Sequence, residues 1–565
     1  MKYRVTPDVT RHDHLGALVA AAVAQHPSQL ALIAASRRRE VERITFSAFG
    51  QTARRVAARL EDLGLQPGDR VAILMSNQPR WLLTAAAVLM RGLVLVPLDP
   101  KLTPAEHAAL IAHAQPKLLV AEHGMARLLP DDLACSHRWL SEAPGSAELP
   151  PEQRWETLPD REGALVARTR DDLATIVYSS GTGGRAKGCM LTHGAYLSQL
   201  DALLERLPMA PGDRYFSILP TNHAIDFMVG FLGPLTCGAT VVHQRTLRPE
   251  LLKWTMQRYG ITHMSVVPLL LTAFERSVRD AIAALPGWKR AAIEGLIGVN
   301  ARLTERTPNH ALSRRLLAPL HAAFGGQLRL LICGGAFTDR RQAEFFYRLG
   351  IPVVIGYGLT EACTVVTVNG LAPFRADSVG APLSGTTVRI AARDATGVGE
   401  VCVQGPTLMQ GYLDDPELTA QTLRDGWLYT GDLGWIDASD HLHLVGRTKD
   451  VIVTAGGKNV YPEDVEHAFA AVAAEEVAVF AANTLWPSRS LGDEELVAVV
   501  RSLEGAALPL TEVARCNRAL PDYKRLAGVV PWSDAFPRTA SMKLKRGELA
   551  DQVGAAAGRE IIERL

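Results

Sequence analysis

The 565-residue sequence predicts an α/β fold. A large N-terminal part of mixed and parallel sheets flanked by helices is followed by a small β-rich region and a small α+β unit. Three observations predict this. Strand, helix and strand patterns alternate through the first 140 residues and resume at Asp172, as they do in a parallel sheet with crossover helices. Residues 384–446 change to short β pieces separated by Gly and Asp turns. After Gly446 come a hairpin, a helix, a strand and a basic tail. The length suggests three to four folding units and is ample for a sizeable core. With 47% hydrophobic and 21% charged residues, disorder is excluded as the main state.

Phe49, Ala53, Val56, Leu60 and Leu63 recur at spacings of 4, 3, 4 and 3, which places them on one helix face. Ser47 is the expected N-cap and Gly64 the stop. Pro67-Gly68-Asp69 then turns the chain into a short apolar strand, Val71–Met75. A helix over Trp81–Met90 and a strand over Leu93–Pro97 complete a βαβ unit. Residues 143–163, rich in Pro, Glu and Ser and without periodicity, read as a loop or linker. Residues 276–328 are helical in composition and read as an insertion. Near the C-terminus the patterns predict a hairpin over Asp450–Tyr461, a helix from Pro462 and a strand near residue 498.

Lys and Arg number 60 and Asp and Glu 59, a net charge of +1. That balance excludes a global attraction to nucleic acid or to an anionic membrane and leaves only local patches. The seven cysteines are scattered and never spaced as CxxC, which argues against a disulfide framework or a zinc knuckle and for a reducing compartment. The polar N-terminus has no apolar core of a signal peptide. The apolar stretch at residues 81–98 is broken by Arg91 and Pro97, so no membrane span is expected. The expectation is a cytoplasmic protein without an integral membrane segment and without a nucleic-acid partner.

The most informative segment runs from Thr175 to Met190, where an apolar strand enters a run of hydroxyls and glycines followed by a lysine. Glycines let backbone N–H groups approach an anion, Ser179, Ser180 and Thr182 add hydroxyl donors, and Lys187 adds positive charge. Together they make a cradle for a polyphosphate; composition alone also allows a flexible surface loop. The segment is not a GxxxxGK[ST] loop, because Ala186 precedes Lys187 and Gly188 follows it.

Five motifs, in order, resemble the adenylate-forming superfamily of acyl-CoA synthetases, peptide-synthetase adenylation domains and luciferases. The loop YSSGTGGRAKGC is similar to YSSGTTGxPKGV. Gly356-Tyr-Gly-Leu-Thr-Glu361 is similar to YGxTE, and Tyr429-Thr-Gly-Asp-Leu-Gly434 to YxTGDLG. Gly446-Arg-Thr-Lys-Asp450 with Gly456-Gly-Lys-Asn-Val-Tyr-Pro462 is similar to GRxKDxI and GGxNVYP. Pro537-Arg-Thr-Ala-Ser-Met-Lys543 is similar to PxTxxGK. The resemblance covers essentially the whole chain. It implies an AMP-binding domain over residues 1–448 and a small mobile α+β domain over 449–565 that turns about a hinge at Lys449.

The resemblance also implies a chemistry. A carboxylate is attacked by a thiol only after ATP has converted it to an acyl-adenylate, with release of pyrophosphate. Two anions must meet, so positioning and charge neutralisation dominate. Ser179, Ser180, Gly181, Thr182, Gly183, Gly184 and Lys187 would hold the β and γ phosphates, and Thr360 the α phosphate. Glu361, with Thr182, would hold Mg2+. Gly334, Gly335 and Ala336 would lie against adenine, with Tyr357 and Gly358 on its other side. Asp432 would accept the ribose hydroxyls, and Arg447 would add a ribose or phosphate contact. Lys543 would bridge carboxylate and α-phosphate oxygens. After a domain rotation, Gly456 and Gly457 would leave room for a pantetheine arm. His223 would border the carboxylate and gate the thiol.

Ala224, not Asp, follows His223, which disfavours an amino acid substrate; Asp226 is not expected to be equivalent. The apolar run from Phe227 to Leu235 points to a medium- to long-chain fatty acid. Coenzyme A is the expected acceptor, with the phosphopantetheine of an acyl-carrier protein as the alternative. Gly183, Ala186 and Met542 depart from the family pattern. They raise one further alternative, a nucleotide- or acyl-AMP-binding protein that no longer turns over.

Overall fold

The structure, a computed structural model, describes residues 7–179, 187–335, 338–453, 459–470, 472–486, 495–503, 507–539 and 544–565. The chain divides into two compact units. The first comprises Met1–Thr387 and Val403–Leu428, and the second Val388–Cys402 and Tyr429–Leu565.

The first unit contains a seven-stranded and a nine-stranded sheet. In the smaller sheet Leu118–Glu122, Arg70–Leu74, Val94–Pro97 and Leu173–Ser179 lie side by side and parallel. In the larger, Val353–Tyr357, Leu330–Cys333, His263–Val266, Arg214–Ser217, Thr240–Gln244 and Leu30–Ser36 do the same. Successive side chains of a strand point to opposite faces. Val71 and Ile73 join one core while Ala72 and Leu74 join another. Leu330 and Ile332 face that first core, whereas Leu331 and Cys333 face a third. The shared core also takes in helices Leu15–Gln25, Pro79–Met90 and His193–Arg206. Helices are therefore packed between the sheets as well as outside them. Parallel strands buried on both faces read as unbroken apolar runs, and these do.

The expected βαβ unit forms as Arg70–Leu74, Pro79–Met90 and Val94–Pro97. Its helix starts two residues before Trp81 because Pro79 suits the first helical position. The preceding helix spans Phe46–Asp62 and buries Phe49, Ala53, Val56 and Leu60 completely. Its cap is Thr45, whose hydroxyl accepts the Ala48 N–H at 3.2 Å, and not Ser47, which lies inside the helix. Residues 143–163 hold little regular structure, a 3-10 turn at Pro151–Gln153. Arginines hold this stretch in place: Arg55 donates to the Pro159 carbonyl at 2.7 Å and Arg161 to Glu61 at 2.6 Å. The stretch at 276–328 is helical, in Pro268–Ala283, Gly287–Leu303, His310–Leu316 and Ala318–Ala323.

In the second unit the part of strand Trp427–Ile436 from Asp432 onward pairs antiparallel with Leu442–Arg447, and Ile452–Val453 pairs with Asn459–Val460. Helix Pro462–Ala468 follows, then a four-stranded sheet in the order Ala474–Ala481, Leu496–Ser502, Leu526–Trp532, Glu563–Arg564. Two half-buried charge clusters tie it together. Arg546 grips Glu466 through two contacts of 2.8 Å, and Glu476 accepts from Arg501 at 2.9 Å and Arg538 at 2.7 Å. The boundary expected at 448/449 falls inside this unit. All seven cysteines are free thiols. Among the described residues no helix is long and apolar enough to cross a membrane.

The reassigned cap is directly testable. Thr45→Ala should lower the stability of the first unit by about 1 kcal/mol in urea unfolding. Ser47→Ala should leave it within about 0.5 kcal/mol of wild type.

Candidate active site

Parallel strands bring their C-terminal ends, and the residues that follow them, to one edge of a sheet. In open α/β sheets that edge is where ligands bind. His223 follows Arg214–Ser217, Gly334 and Gly335 follow Leu330–Cys333, and Gly358, Thr360 and Glu361 follow Val353–Tyr357. In the other sheet Asn77 follows Arg70–Leu74, Asp99 follows Val94–Pro97, and Ser179 ends Leu173–Ser179. Asn77 joins the two edges. Its amide donates to the Leu219 carbonyl at 2.6 Å and to the Ser217 hydroxyl at 3.0 Å, and its oxygen accepts the Thr221 N–H at 2.9 Å.

Ser179 and Lys187 are register partners at the base of the Gly-rich segment. The Lys187 ammonium lies 5.3 Å from the centre of the Tyr412 ring. The Tyr412 hydroxyl donates to Glu361 Oε1 at 2.9 Å. Burial, and then the Glu361 carboxylate, holds the Tyr412 phenol far above its ordinary range, so it remains a donor. Lysine, tyrosine and glutamate thus form a chain that fixes a carboxylate beside a cation. Among the described residues no cluster of three or more acidic, His or Cys side chains could hold a metal by itself. Glu361 engages only one oxygen there, which fits Mg2+ held by one carboxylate together with substrate phosphates.

Gly358 has a backbone reason as well as a position. A Cβ there would lie 1.7 Å from the Thr364 carbonyl oxygen, so no other residue fits the turn that presents Thr360 and Glu361. Gly335 holds φ at +82°, which glycine adopts freely. A Cβ on Gly334 would come within 3.1 Å of the Gly356 carbonyl, so the two strand ends lie close. Tyr357 is buried.

His223 caps the short helix Ala224–Asp226, and its Nε2 is 3.7 Å from Asp99 Oδ2. Its position depends on Asp226, whose importance the sequence did not reveal. The Asp226 carboxylate is fully buried and accepts from Ser217 at 2.8 Å, Thr221 at 2.9 Å and Tyr215 at 3.2 Å. Gly230 leaves space for it, since a Cβ there would lie 2.4 Å from Asp226 Oδ1. Every hydroxyl comes from strand Arg214–Ser217 or the turn after it, so this carboxylate fixes the strand-to-helix segment that carries His223. The signal available in sequence was an aspartate between two apolar runs, without its partners.

In the second unit, Asp432 and Arg447 are register partners on adjacent strands, and Arg447 Nε donates to Asp432 Oδ1 at 2.6 Å. The Thr430 hydroxyl accepts the Asp432 N–H at 3.0 Å and fixes the turn. Lys449 has Asp450 at 4.0 Å, and burial lowers its pKa. Arg538 and Leu544 bridge the chain on either side of residues 540–543. Ser180, Gly181, Thr182, Gly183, Gly184, Ala186, Ala336, Gly456, Gly457, Met542 and Lys543 lie outside the described residues.

Burial pushes the Asp226 carboxyl up to about 6 from 3.8, against the pull of its three hydroxyls. The unfolded chain loses this proton near 3.8 and the folded chain near 6, so the contribution of the neutral carboxyl is complete below the lower value and lost as pH rises through the upper. Asp226→Asn cannot ionise. Between pH 4 and 7 its stability relative to wild type should therefore rise, by up to about 3 kcal/mol. Urea unfolding of both proteins across that range measures it, and parallel curves would remove the buried proton.

The likeness to known proteins covers most of the chain. Residues 19–413 match the AMP-binding enzyme family. A feruloyl-CoA synthase from an Amycolatopsis species is 30% identical over 524 residues, 90% of this chain and 94% of its own length. A long-chain-fatty-acid–CoA ligase of Mycobacterium bovis is 29% identical over 453 residues, 75% of this chain and 72% of its own. The crystal structure of ATP-bound MatB from Rhodopseudomonas palustris aligns with a TM-score of 0.75 and 26% identity, over 96% of this chain and 99% of that one. A two-sheet fold with its polar residues gathered at the strand ends, matched over nearly all of its length, makes this chain a member of the AMP-binding enzyme family and an AMP-forming acid–thiol ligase.

Proposed function

We propose that this protein activates a medium- to long-chain fatty acid to its acyl-adenylate and transfers the acyl group to coenzyme A. The observation that carries the apolar substrate is the segment after His223. Phe227–Leu232 is buried throughout and packs with the leucines of helix His193–Arg206. Each CH2 buried in such surroundings contributes about 0.8 kcal/mol, enough to select chain length. An arylpropenoic acid is the second reading, favoured by the 30% identity to a feruloyl-CoA synthase.

In the first step a carboxylate oxygen attacks the α-phosphorus of ATP and pyrophosphate leaves. Ser179, Lys187 and the Gly-rich residues between them hold the outgoing phosphates. Thr360 orients the α-phosphate. Glu361, held by Tyr412, would with Thr182 hold Mg2+, which would neutralise phosphate charge. Asp432 and Arg447 hold the ribose side, and Lys543 bridges the two reacting anions. In the second step the thiolate attacks the acyl carbon and AMP leaves. Here His223 borders the reacting carbonyl, Lys449 is the pivot of the residues after it, and Gly456 and Gly457 give the pantetheine arm its passage.

The test is pyrophosphate release with ATP, Mg2+ and a panel of fatty, aryl and amino acids. Each is run with coenzyme A, with a holo acyl-carrier protein and with neither. Release that depends on a fatty acid and accelerates with coenzyme A is the expected result. Selective response to aryl acids would select the second reading, and acylation of the carrier protein alone would reassign the acceptor. Lys543→Ala should lower adenylation by about 10²–10³ while ATP still binds. Unchanged adenylation in that variant would remove Lys543 from the chemistry.

A further inference from the structure

Lys187 and Glu361 belong to motifs far apart in the sequence, and one short segment of the first unit holds both. The Met409 N–H donates to the Glu361 carbonyl at 2.9 Å, and the Leu413 N–H to the Gly188 carbonyl at 2.8 Å. Between those two contacts Gly411–Tyr412 pairs antiparallel with Lys187–Thr192, and Tyr412 stands opposite Cys189. The Thr419 hydroxyl accepts the Tyr412 N–H at 2.9 Å and donates to the Asp415 carbonyl at 2.8 Å. Tyr412 is 5% exposed and joins the core that the two sheets share. Its side chain therefore has a fixed place, with both motifs against it.

That side chain meets the two charges with different parts. Its hydroxyl goes to Glu361 Oε1, and its ring face to the Lys187 ammonium. Neither Lys187 nor Glu361 forms an ion pair among the described residues. Opposite charges on long side chains near one another attract, and each needs another partner if they are to stay apart. A ring attracts an ammonium without consuming any of its N–H donors. A carboxylate that accepts one hydroxyl keeps its second oxygen for another partner. Tyr412 thus partners both charges and neutralises neither. A direct Lys187–Glu361 salt bridge would instead tie up the cation that phosphate needs and the carboxylate that a metal needs.

We propose that Tyr412 is a positioning residue that keeps Lys187 and Glu361 from pairing with each other before the nucleotide arrives, so that the ammonium stays available to phosphate and the carboxylate to Mg2+; this rests on the phosphate and Mg2+ roles proposed above for the two residues. The two contacts are separable. A phenylalanine keeps the ring over Lys187 and loses the hydroxyl on Glu361, whereas a leucine loses both.

Two measurements on the full chain separate them: equilibrium dialysis of ATP with and without Mg2+, and the Mg2+ dependence of acid-dependent pyrophosphate release. Tyr412→Phe keeps the packing. It should raise the half-saturating Mg2+ concentration about tenfold, change kcat at saturating Mg2+ far less, and leave metal-free ATP binding at the wild-type level. Tyr412→Leu should also weaken metal-free ATP binding about tenfold, because Lys187 is then drawn to Glu361. Adding Glu361→Gln to Tyr412→Leu removes the carboxylate that captures the lysine, so metal-free binding should recover. The space left by the ring is the same in both variants, so a packing defect would not be repaired. Wild-type metal-free binding by Tyr412→Leu, no recovery in the double variant, or a wild-type Mg2+ requirement in Tyr412→Phe would each overturn the proposal. Glu361→Gln alone checks the role on which it rests. An unchanged Mg2+ requirement there would take the metal from Glu361 and the proposal with it, whereas a raised requirement beside a wild-type Tyr412→Phe would overturn the proposal alone.

Discussion

Two parallel sheets that must each be covered on both faces are the constraint on which the first unit depends. A parallel strand cannot return by a tight turn, so each connection crosses a face and covers it. With two such sheets, the helices between them serve both, as Pro79–Met90 and His193–Arg206 do. The same constraint decides where chemistry can happen. Strands running one way end at one edge, and the chain leaves each of them there with exposed backbone groups and polar side chains.

The polar residues at that edge are tied to one another before any substrate arrives. Asn77 links the two sheets through three hydrogen bonds. Asp226 draws three hydroxyls into one buried carboxylate and sets the start of the segment that carries His223. Tyr412 fixes Glu361. Preorganised groups of this kind lose little on binding, and that is how a site positions two anions that repel each other. In the second unit Glu466 and Glu476 play the corresponding structural part, each holding arginines from distant stretches of chain.

The outward side of the first unit has a different logic. Helix Gly287–Leu303 packs Ile293, Ile297 and the buried Asn300 inward and leaves Trp288, Leu296, Val299 and Leu303 exposed. Exposed area of that kind is unfavourable unless another surface covers it.

The sequence by itself determined the fold class, the βαβ unit, the helical stretch near residue 300 and the order of the motifs. These rest on periodicity and on short local patterns, which need no partner to be recognised. It also named Ser179, Lys187, His223, Thr360, Glu361, Asp432 and Arg447, because each stands inside such a pattern. Only the tertiary structure decided what those residues touch. Thr45 displaced Ser47 as the cap because the helix begins one residue before Ser47, a matter of where the preceding strand ends. Tyr412, Asn77 and Asp226 could not be read locally. Tyr412 lies 51 residues from Glu361, and Asn77 lies 140 from Ser217. Asp226 is quiet in sequence because its meaning comes from burial and from a glycine that makes room for it. Long-range contacts and desolvation belong to the folded chain, and they are what turned a set of motifs into a site.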